Sequence, residues 1–233
     1  NRARQWEITQ LLTFGTLIWP QFAFLMNTKY VLGPVGGGER IPFSLLGAFS
    51  YSVRLKILLR RLVQWSLIVN PLYWANLLRA DRILVRTRDT LKMIPGIFHA
   101  KTELMLETAI PGAGAPANPA VPREGPLAIV SVGRLIASKF NPLFLLALHR
   151  FKQLWGKPFV VTVVGDGPEA GRLKALRDEL GLDEVNFVGE KPSGEVYAAL
   201  RDSDIYFSAT MKEAGSWAFF EAISCALPIV CLK

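Results

Sequence analysis

An α/β protein with parallel sheets is the fold class this sequence predicts, and three observations carry the prediction. The second half alternates short apolar runs with amphipathic stretches, the pattern of βαβ units whose crossovers return the chain to a parallel neighbour. Several of the apolar runs end in glycine, as in "LAIVSVG" and "FVVTVVGDG". Hydrophobic residues make up 51% of the 233 positions, enough to bury a core and too many for a disordered chain.

The elements follow in order. Residues 127–133, apolar without alternation, predict a strand covered on both faces. "NPLFLLALHRFKQLWG" opens on Asn-Pro and closes on Gly, the punctuation of a helix. "FVVTVVGDG" is then a strand running into a turn, "PEAGRLKALRDELG" a helix, and "VNFVG" a strand. "SGEVYAALRDS", "IYFSAT", "SWAFFEAISCA" and "PIVCL" continue as helix, strand, helix and strand. Five strands and four helices in this order place the loops "GRLIASK", "GDGP", "GEKP" and "TMKEAGS" on one rim, at the carboxyl ends of the strands.

Before this region lies "PGAGAPANPAVPREGP", residues 111–126, which reads as an exposed linker. Earlier still, "YVLGPVGGGERIP" is a strand breaking into a glycine-rich loop. Residues 53–69 form a basic amphipathic helix, with Leu55, Leu58, Leu59, Leu62 and Trp65 on one side. Arg54, Lys56, Arg60, Arg61 and Gln64 fall on the other. "NPLYWANLLRA" predicts a helix and "RILVRT" a strand. These strands are too few to complete a doubly wound sheet, so the first part reads as the back end of a domain. The opening "NRARQW", without methionine, and the stop at "VCLK" after a strand-like run read as cuts at both ends. Residues 8–28 carry no charge and match a bilayer in length. Their Thr, Gln, Asn and Pro content favours buried packing in a soluble domain.

The formal net charge of +8 favours an anionic partner. Two cysteines, Cys225 and Cys231, suit buried thiols in a reducing compartment rather than a zinc site or a disulfide scaffold. His99 and His149 stand apart. Chemistry is expected at the rim. Gly133 ends a strand, and Arg134 and Lys139 follow in a loop before a helix, a setting suited to a diphosphate. In "EAGSWAFFEA", Ser216 is a natural N-cap, and the N–H groups of residues 215–217 point into the rim. Glu213 lies in that loop and Glu221 a turn and a half along the helix, at different depths of one cleft.

Together, "VGRLIASK", "VVGDGPEAGRLKALRDELGLDEVNFVGEKP", "YAALRDSDIYFSAT" and "EAGSWAFFEAISCALPIV" resemble the nucleotide-binding domain of the retaining glycosyltransferases of family four. "GPVGGGE", residues 33–39, and "TFGTLIWP" before it look like the acceptor-side domain of one branch. The resemblance implies a GT-B fold of two Rossmann-like domains with parallel sheets. Residues 1–110 would be a remnant of the acceptor-side domain, 111–126 the interdomain linker and 127–233 the nucleotide-sugar-binding domain, incomplete at its carboxyl end.

It further implies transfer of a sugar from a nucleotide-sugar to a polysaccharide or lipid-linked acceptor, with retention of configuration. Arg134 and Lys139 would hold the donor diphosphate, Glu213 the transferred sugar, and Gly215, Ser216 and Trp217 its hydroxyls or phosphates. Glu221 would accept the ribose hydroxyls, Glu190 and Lys191 would edge the nucleobase beside Gly133, and Gly36, Gly37 and Gly38 would face the cleft from the first domain. No metal or other cofactor is implied, and nucleic acid is not an expected partner. The expected location is the cytoplasm, with the basic helix at 53–69 as a candidate contact to an anionic membrane surface. The alternative on the same fold is a non-catalytic or fragmentary nucleotide-sugar-binding module. Three departures from the family pattern stand out: Gly-Ser-Trp replaces a glycine-rich phrase, Ala226 stands where glycine is common, which a positive φ would strain, and neither His99 nor His149 matches the histidine that many relatives place near the donor sugar in the first domain.

Overall fold

The computed structural model describes residues 6–12, 15–19, 21–106, 125–211 and 216–232. The described residues of 1–42 and 54–107 form one compact unit, and those of 43–53 and 108–233 form a second. The linker expectation at 111–126 falls, up to residue 124, outside the described residues.

The first unit is built on a four-stranded parallel sheet in the order β1 (Ile8–Gln10), β2 (Lys29–Val35), β3 (Arg82–Val85), β4 (Thr102–Leu104). Tyr30, Leu32, Val35, Ile83 and Val85 are fully buried in it. The sheet register is pinned by a reciprocal pair: Asp81 N–H donates to Tyr30 O at 2.8 Å, and Tyr30 N–H donates to the Asp81 carboxylate at 2.7 Å. Helix α2 (Pro71–Arg79) starts as its sequence demands, with Asn70 Oδ1 accepting from Leu72 N–H and proline at its first position. It packs Tyr73 and Leu77 inward, and Asn76 Oδ1 accepts from the buried Tyr30 hydroxyl at 2.9 Å.

The basic helix forms as α1 (Tyr51–Ser66), followed by a short 3-10 turn, Leu67–Val69. On its polar side, Gln64 is buried and donates to Gly37 O, and Arg61 donates to Ile41 O. Leu55, Leu58, Leu59, Leu62 and Trp65 remain between 40% and 56% exposed. Two backbone carbonyls have drawn the polar edge inward, and the apolar stripe faces out.

The uncharged stretch 8–28 also differs from buried packing. Leu17 and Gln21 are buried, but Leu12, Trp19, Phe22, Leu25 and Met26 are exposed. Among the described residues no helix is long and apolar enough to cross a membrane. Strands β1 and β4, three residues each, had no pattern long enough to announce them.

The second unit follows the predicted alternation throughout. Its five parallel strands lie in the order β7 (Val185–Gly189), β6 (Phe159–Val164), β5 (Leu127–Val132), β8 (Ile205–Ser208), β9 (Ile229–Cys231). Helices α4 (Pro142–Trp155) and α5 (Ala170–Glu179) share one core with Ile129, Val161 and Val163. Helices α6 (Ser193–Arg201) and α7 (Trp217–Ser224) share a second core with Val130, Val164 and Tyr206. Neighbouring residues Ile129 and Val130 thus serve opposite faces, which is why the strand reads as a continuous apolar run. Asn141 caps α4 through Leu143 N–H and donates to Ala209 O at 2.8 Å, tying the helix start to the end of β8. Of the two thiols, Cys225 is buried as expected and Cys231 is exposed.

Ala226 ends α7 at φ +57°. Leu227 N–H donates to Ala222 O and Ala226 N–H to Ile223 O, a Schellman pair that requires the left-handed conformation. An L-residue is strained there. Ala226→Gly is therefore expected to raise stability by about 1 kcal/mol, read as a higher denaturant midpoint at unchanged slope.

Candidate functional site

The carboxyl ends of β5, β6 and β7 are stitched together by backbone contacts. Gly133 N–H donates to Val164 O at 2.9 Å, Gly165 N–H to Gly189 O at 2.7 Å and Leu135 N–H to Asp166 O at 2.9 Å. The approach is closest at Gly165, where φ is +133° and a Cβ would lie 2.0 Å from Gly133 O. Only glycine fits this position. The three strand ends surround a cavity of about 610 Å³ lined by Val132, Gly133, Arg134, Val164, Gly165, Asp166, Gly167, Glu190, Lys191 and Val196. Its floor is backbone and valine, and its polar groups converge from three different loops.

Four residues named from the sequence therefore meet at one place: Gly133, Arg134, Glu190 and Lys191. Arg134 and Glu190 are exposed, and Lys191 holds Glu195 one turn along α6 at 2.9 Å. Asp166 belongs to the cavity but was not singled out by sequence reasoning. Its carboxylate accepts from Gly167 N–H at 2.7 Å, and an Asp inside a Gly-Asp-Gly turn is the signal that could have found it.

Lys139 and Ser216 form a second group. Lys139 Nζ donates to Ser216 Oγ at 3.3 Å, joining the loop after β5 to the start of α7. Met211 N–H donates to Ser138 O at 2.9 Å in the same place. Ser216 occupies the N-cap position, but its hydroxyl does not cap the helix; it accepts from the lysine instead. Trp217 begins α7 and is exposed, and Glu221 follows one turn later on the same helix face, half-buried. Burial pushes the Glu221 carboxyl above its ordinary 4.5. Neither Trp217 nor Glu221 lines the cavity. Glu213 and Gly215 lie outside the described residues.

Gly36, Gly37 and Gly38 belong to the first unit, directly after β2. They are buried, packed against Arg86, Thr16 and the Asp89–Thr90 backbone. Sequence reasoning missed the group that holds them, the neighbouring Glu39, together with Thr87, Thr90 and Gln64. Among the described residues no three His, Cys, Asp or Glu side chains are grouped to hold a metal ion.

The family "glycosyl transferases group 1" matches residues 117–233. WcaL of Escherichia coli (strain K12), provisionally named a colanic acid biosynthesis glycosyltransferase, is 32% identical over 112 residues, which cover 45% of this chain and 27% of WcaL. The chain thus matches well under half the length of that relative. Among solved structures, the apo form of the lipopolysaccharide outer core galactosyltransferase WaaB has a TM-score of 0.56 at 17% identity, covering 72% of this chain and 47% of WaaB. Anabaena HepE, solved in complex with UDP-glucose, has a TM-score of 0.55 at 15% identity, covering 91% of this chain and 55% of HepE. These likenesses bear out the GT-B fold class.

The rim geometry makes a paired prediction. Gly165→Ala must displace the Gly133 carbonyl and is expected to cost about 3 kcal/mol of stability. Gly171→Ala, in α5 with nothing within 4 Å of the added methyl, is expected to stabilise by about 0.5–1 kcal/mol. Thermal melting of the two variants beside the parent checks both signs.

Proposed function

This chain belongs to the family of glycosyl transferases group 1, and we propose that its second unit binds the nucleotide-sugar donor of a glycosyltransfer reaction. The observation that carries this reading is the cavity of about 610 Å³ at the carboxyl ends of three parallel strands, with Arg134 in its wall. The volume suits a nucleotide, and the position is where open α/β sheets bind ligands.

The roles follow from side-chain chemistry. Arg134 and Lys139 hold the diphosphate and stabilise the negative charge that grows as it leaves. Glu190 and Lys191 edge the nucleobase beside Gly133. Gly215, Ser216 and Trp217 offer amides to the sugar or phosphate, Glu213 takes the transferred sugar, and Glu221 accepts the ribose hydroxyls. Retention follows if the acceptor hydroxyl attacks the face that the diphosphate leaves. The departing phosphate oxygen takes the acceptor proton, the new C–O bond forms as the old one breaks, and no enzyme nucleophile, metal or other cofactor is needed. The acceptor is a polysaccharide or a lipid-linked glycan. WcaL, named for colanic acid, and WaaB, for lipopolysaccharide, support that class, and HepE with UDP-glucose supports the donor.

A membrane-facing role for the first unit completes the reading. Residues 1–107 carry fourteen Lys and Arg against six Asp and Glu, whereas residues 108–233 carry thirteen against thirteen. The whole charge excess lies in the first part. From residue 40 to residue 80 there are six cations and no acid, and this span includes α1 with its leucines turned outward. Such a helix lies on an anionic bilayer with its apolar stripe in the headgroup boundary. The protein then works in the cytoplasm, peripherally on the inner face of the membrane.

Two measurements test these readings. Titration with UDP, GDP and ADP is expected to give binding by at least one of them, weakened about tenfold or more by Arg134→Ala. Lowering the pH protonates Glu221, and because burial raises its pKa, affinity should begin to fall at a higher pH than a free glutamate would give. Glu221→Gln should remove that dependence. The same raised pKa makes the ionised form the costly one in the fold, so its stability penalty grows as pH rises. Absence of nucleotide binding at millimolar concentration would overturn the donor site, and binding without sugar transfer or donor hydrolysis would favour a non-catalytic module. For the membrane, sedimentation should recover the chain with anionic vesicles and not with neutral ones, and Leu58→Asp should weaken recovery. Equal recovery with both lipids would exclude the surface.

A further inference from the structure

A glycine-rich turn after a parallel strand has the outline of an anion cradle, because consecutive backbone amides converge there. Gly36-Gly37-Gly38 follows β2 in this way, yet each of its amides already has a partner within the first unit. Gly36 N–H donates to Gly15 O at 2.7 Å. Gly37 N–H donates to the Glu39 carboxylate at 3.1 Å, and Gly38 N–H to Thr90 Oγ1 at 3.2 Å. The carbonyls are taken as well, Gly36 O by Leu17 N–H and Gly37 O by the Gln64 amide.

Glu39 is the centre of this arrangement. Only 7% exposed, it also accepts from the hydroxyls of Thr87 and Thr90, each at 3.0 Å. Burial pushes its carboxyl up, but the hydrogen bonds from its own backbone, Thr87, Thr90 and Gly37 outweigh that and hold it below the ordinary range. Thr87 in turn caps α3 (Arg88–Leu91), accepting from Thr90 N–H at 3.1 Å. One carboxylate therefore joins the exit of β2 to the exit of β3. The missing Cβ atoms are filled from inside: Arg86 covers Gly36, Thr16 meets Gly37, and the Asp89–Thr90 backbone lies against Gly38.

We propose that Glu39 is a positioning residue, the built-in anion of a closed glycine latch, and that Gly36–Gly38 therefore binds no phosphate or nucleotide. The inference rests on the reading above and refines the expectation that these glycines face the cleft: it assigns phosphate and nucleotide recognition to the loops of the second unit and leaves the first-unit rim to be shaped by Glu39.

The test is one spectrum of the full chain labelled with ¹⁵N-glycine. UDP and inorganic phosphate, each titrated to millimolar concentration, should leave Gly36, Gly37 and Gly38 unmoved. If the donor site stands, UDP moves Gly133, Gly165 and Gly167. Their silence would count against the donor site without touching the latch, whereas movement of Gly37 or Gly38 by either ligand would overturn the latch. Amide exchange separates positioning from bulk stability. Glu39→Ala should speed exchange at Gly37 and Gly38 at least tenfold and leave Leu32 and Ile83 in the same sheet within about twofold. Glu39→Gln, which keeps an acceptor oxygen, should recover most of the protection. Uniform acceleration across the unit, or none at Gly37 and Gly38, would show that Glu39 does not position the turn.

Discussion

A reciprocal pair of hydrogen bonds between Asp204 and Ala128 fixes where the last third of the second unit goes. The chain builds outward from β5 through β6 to β7, and must then return past both to lay β8 on the far side of β5. At that point Asp204 N–H donates to Ala128 O at 2.7 Å, and Ala128 N–H donates to the Asp204 carboxylate at 2.8 Å. The aspartate supplies the acceptor that a strand end otherwise lacks, and it sets β8 in register with β5 from its first residue. Reversal at β5 and β8 is a topological switch point, and the crevice for a ligand opens at its carboxyl side. The start of α7, with Ser216 against Lys139, is carried to that crevice because β8 is seated there. Asp81 and Tyr30 repeat the device between β3 and β2 in the first unit, so one local solution orders both sheets.

How far the sequence revealed the structure depends on where each element finds its partners. The second unit was legible because its strands are covered on both faces and its helices carry their own start and stop signals. Asn141 with Pro142, and Gly156 at φ +63°, act locally. Gly133, Arg134, Glu190 and Lys191 could be grouped from sequence because each follows a strand, and parallel strands deliver their ends to one rim. Helix α1 could not be oriented that way. Amphipathy tells which residues share a face, and assigning that face to the core assumes that nothing polar inside competes for the other. Here Gly37 O and Ile41 O take Gln64 and Arg61, contacts across 27 and 20 residues that no window of periodicity contains. The hydroxyl of Ser216 was misassigned for the same reason. Its position is a cap by sequence, and its partner is a lysine 77 residues away.

The two glycine-rich turns show how one sequence signal serves opposite ends. At Gly165 the absent side chain lets β6 approach the Gly133 carbonyl, and the space left beside them is an open cavity with charged groups of both signs at its wall. At Gly36–Gly38 the absent side chains admit Arg86, Thr16 and Thr90, so the turn closes on itself. What separates them is burial. Asp166 accepts from Gly167 N–H much as Glu39 accepts from Gly37 N–H, but Asp166 is exposed at the cavity. Glu39 is only 7% exposed and is also held by Thr87 and Thr90. A glycine count cannot tell these cases apart, but the burial of the neighbouring carboxylate can.

The same logic bears on the charge of the chain. A net charge of +8 invites the inference that the cavity is strongly basic. Yet the part of the chain that holds the cavity is neutral in balance, and Asp166 and Glu190 stand in the cavity wall beside Arg134 and Lys191. Charges of both signs are therefore mixed at the cavity rather than arranged as a field of one sign. The excess lies instead in the first 107 residues, where α1 turns its leucines outward and the span from Arg40 to Ala80 holds no acid to temper them. Net charge of one sign keeps a protein soluble and monomeric, whereas exposed apolar surface favours association. On α1 the two lie side by side, and the anionic bilayer surface proposed above is a partner whose chemistry would answer both.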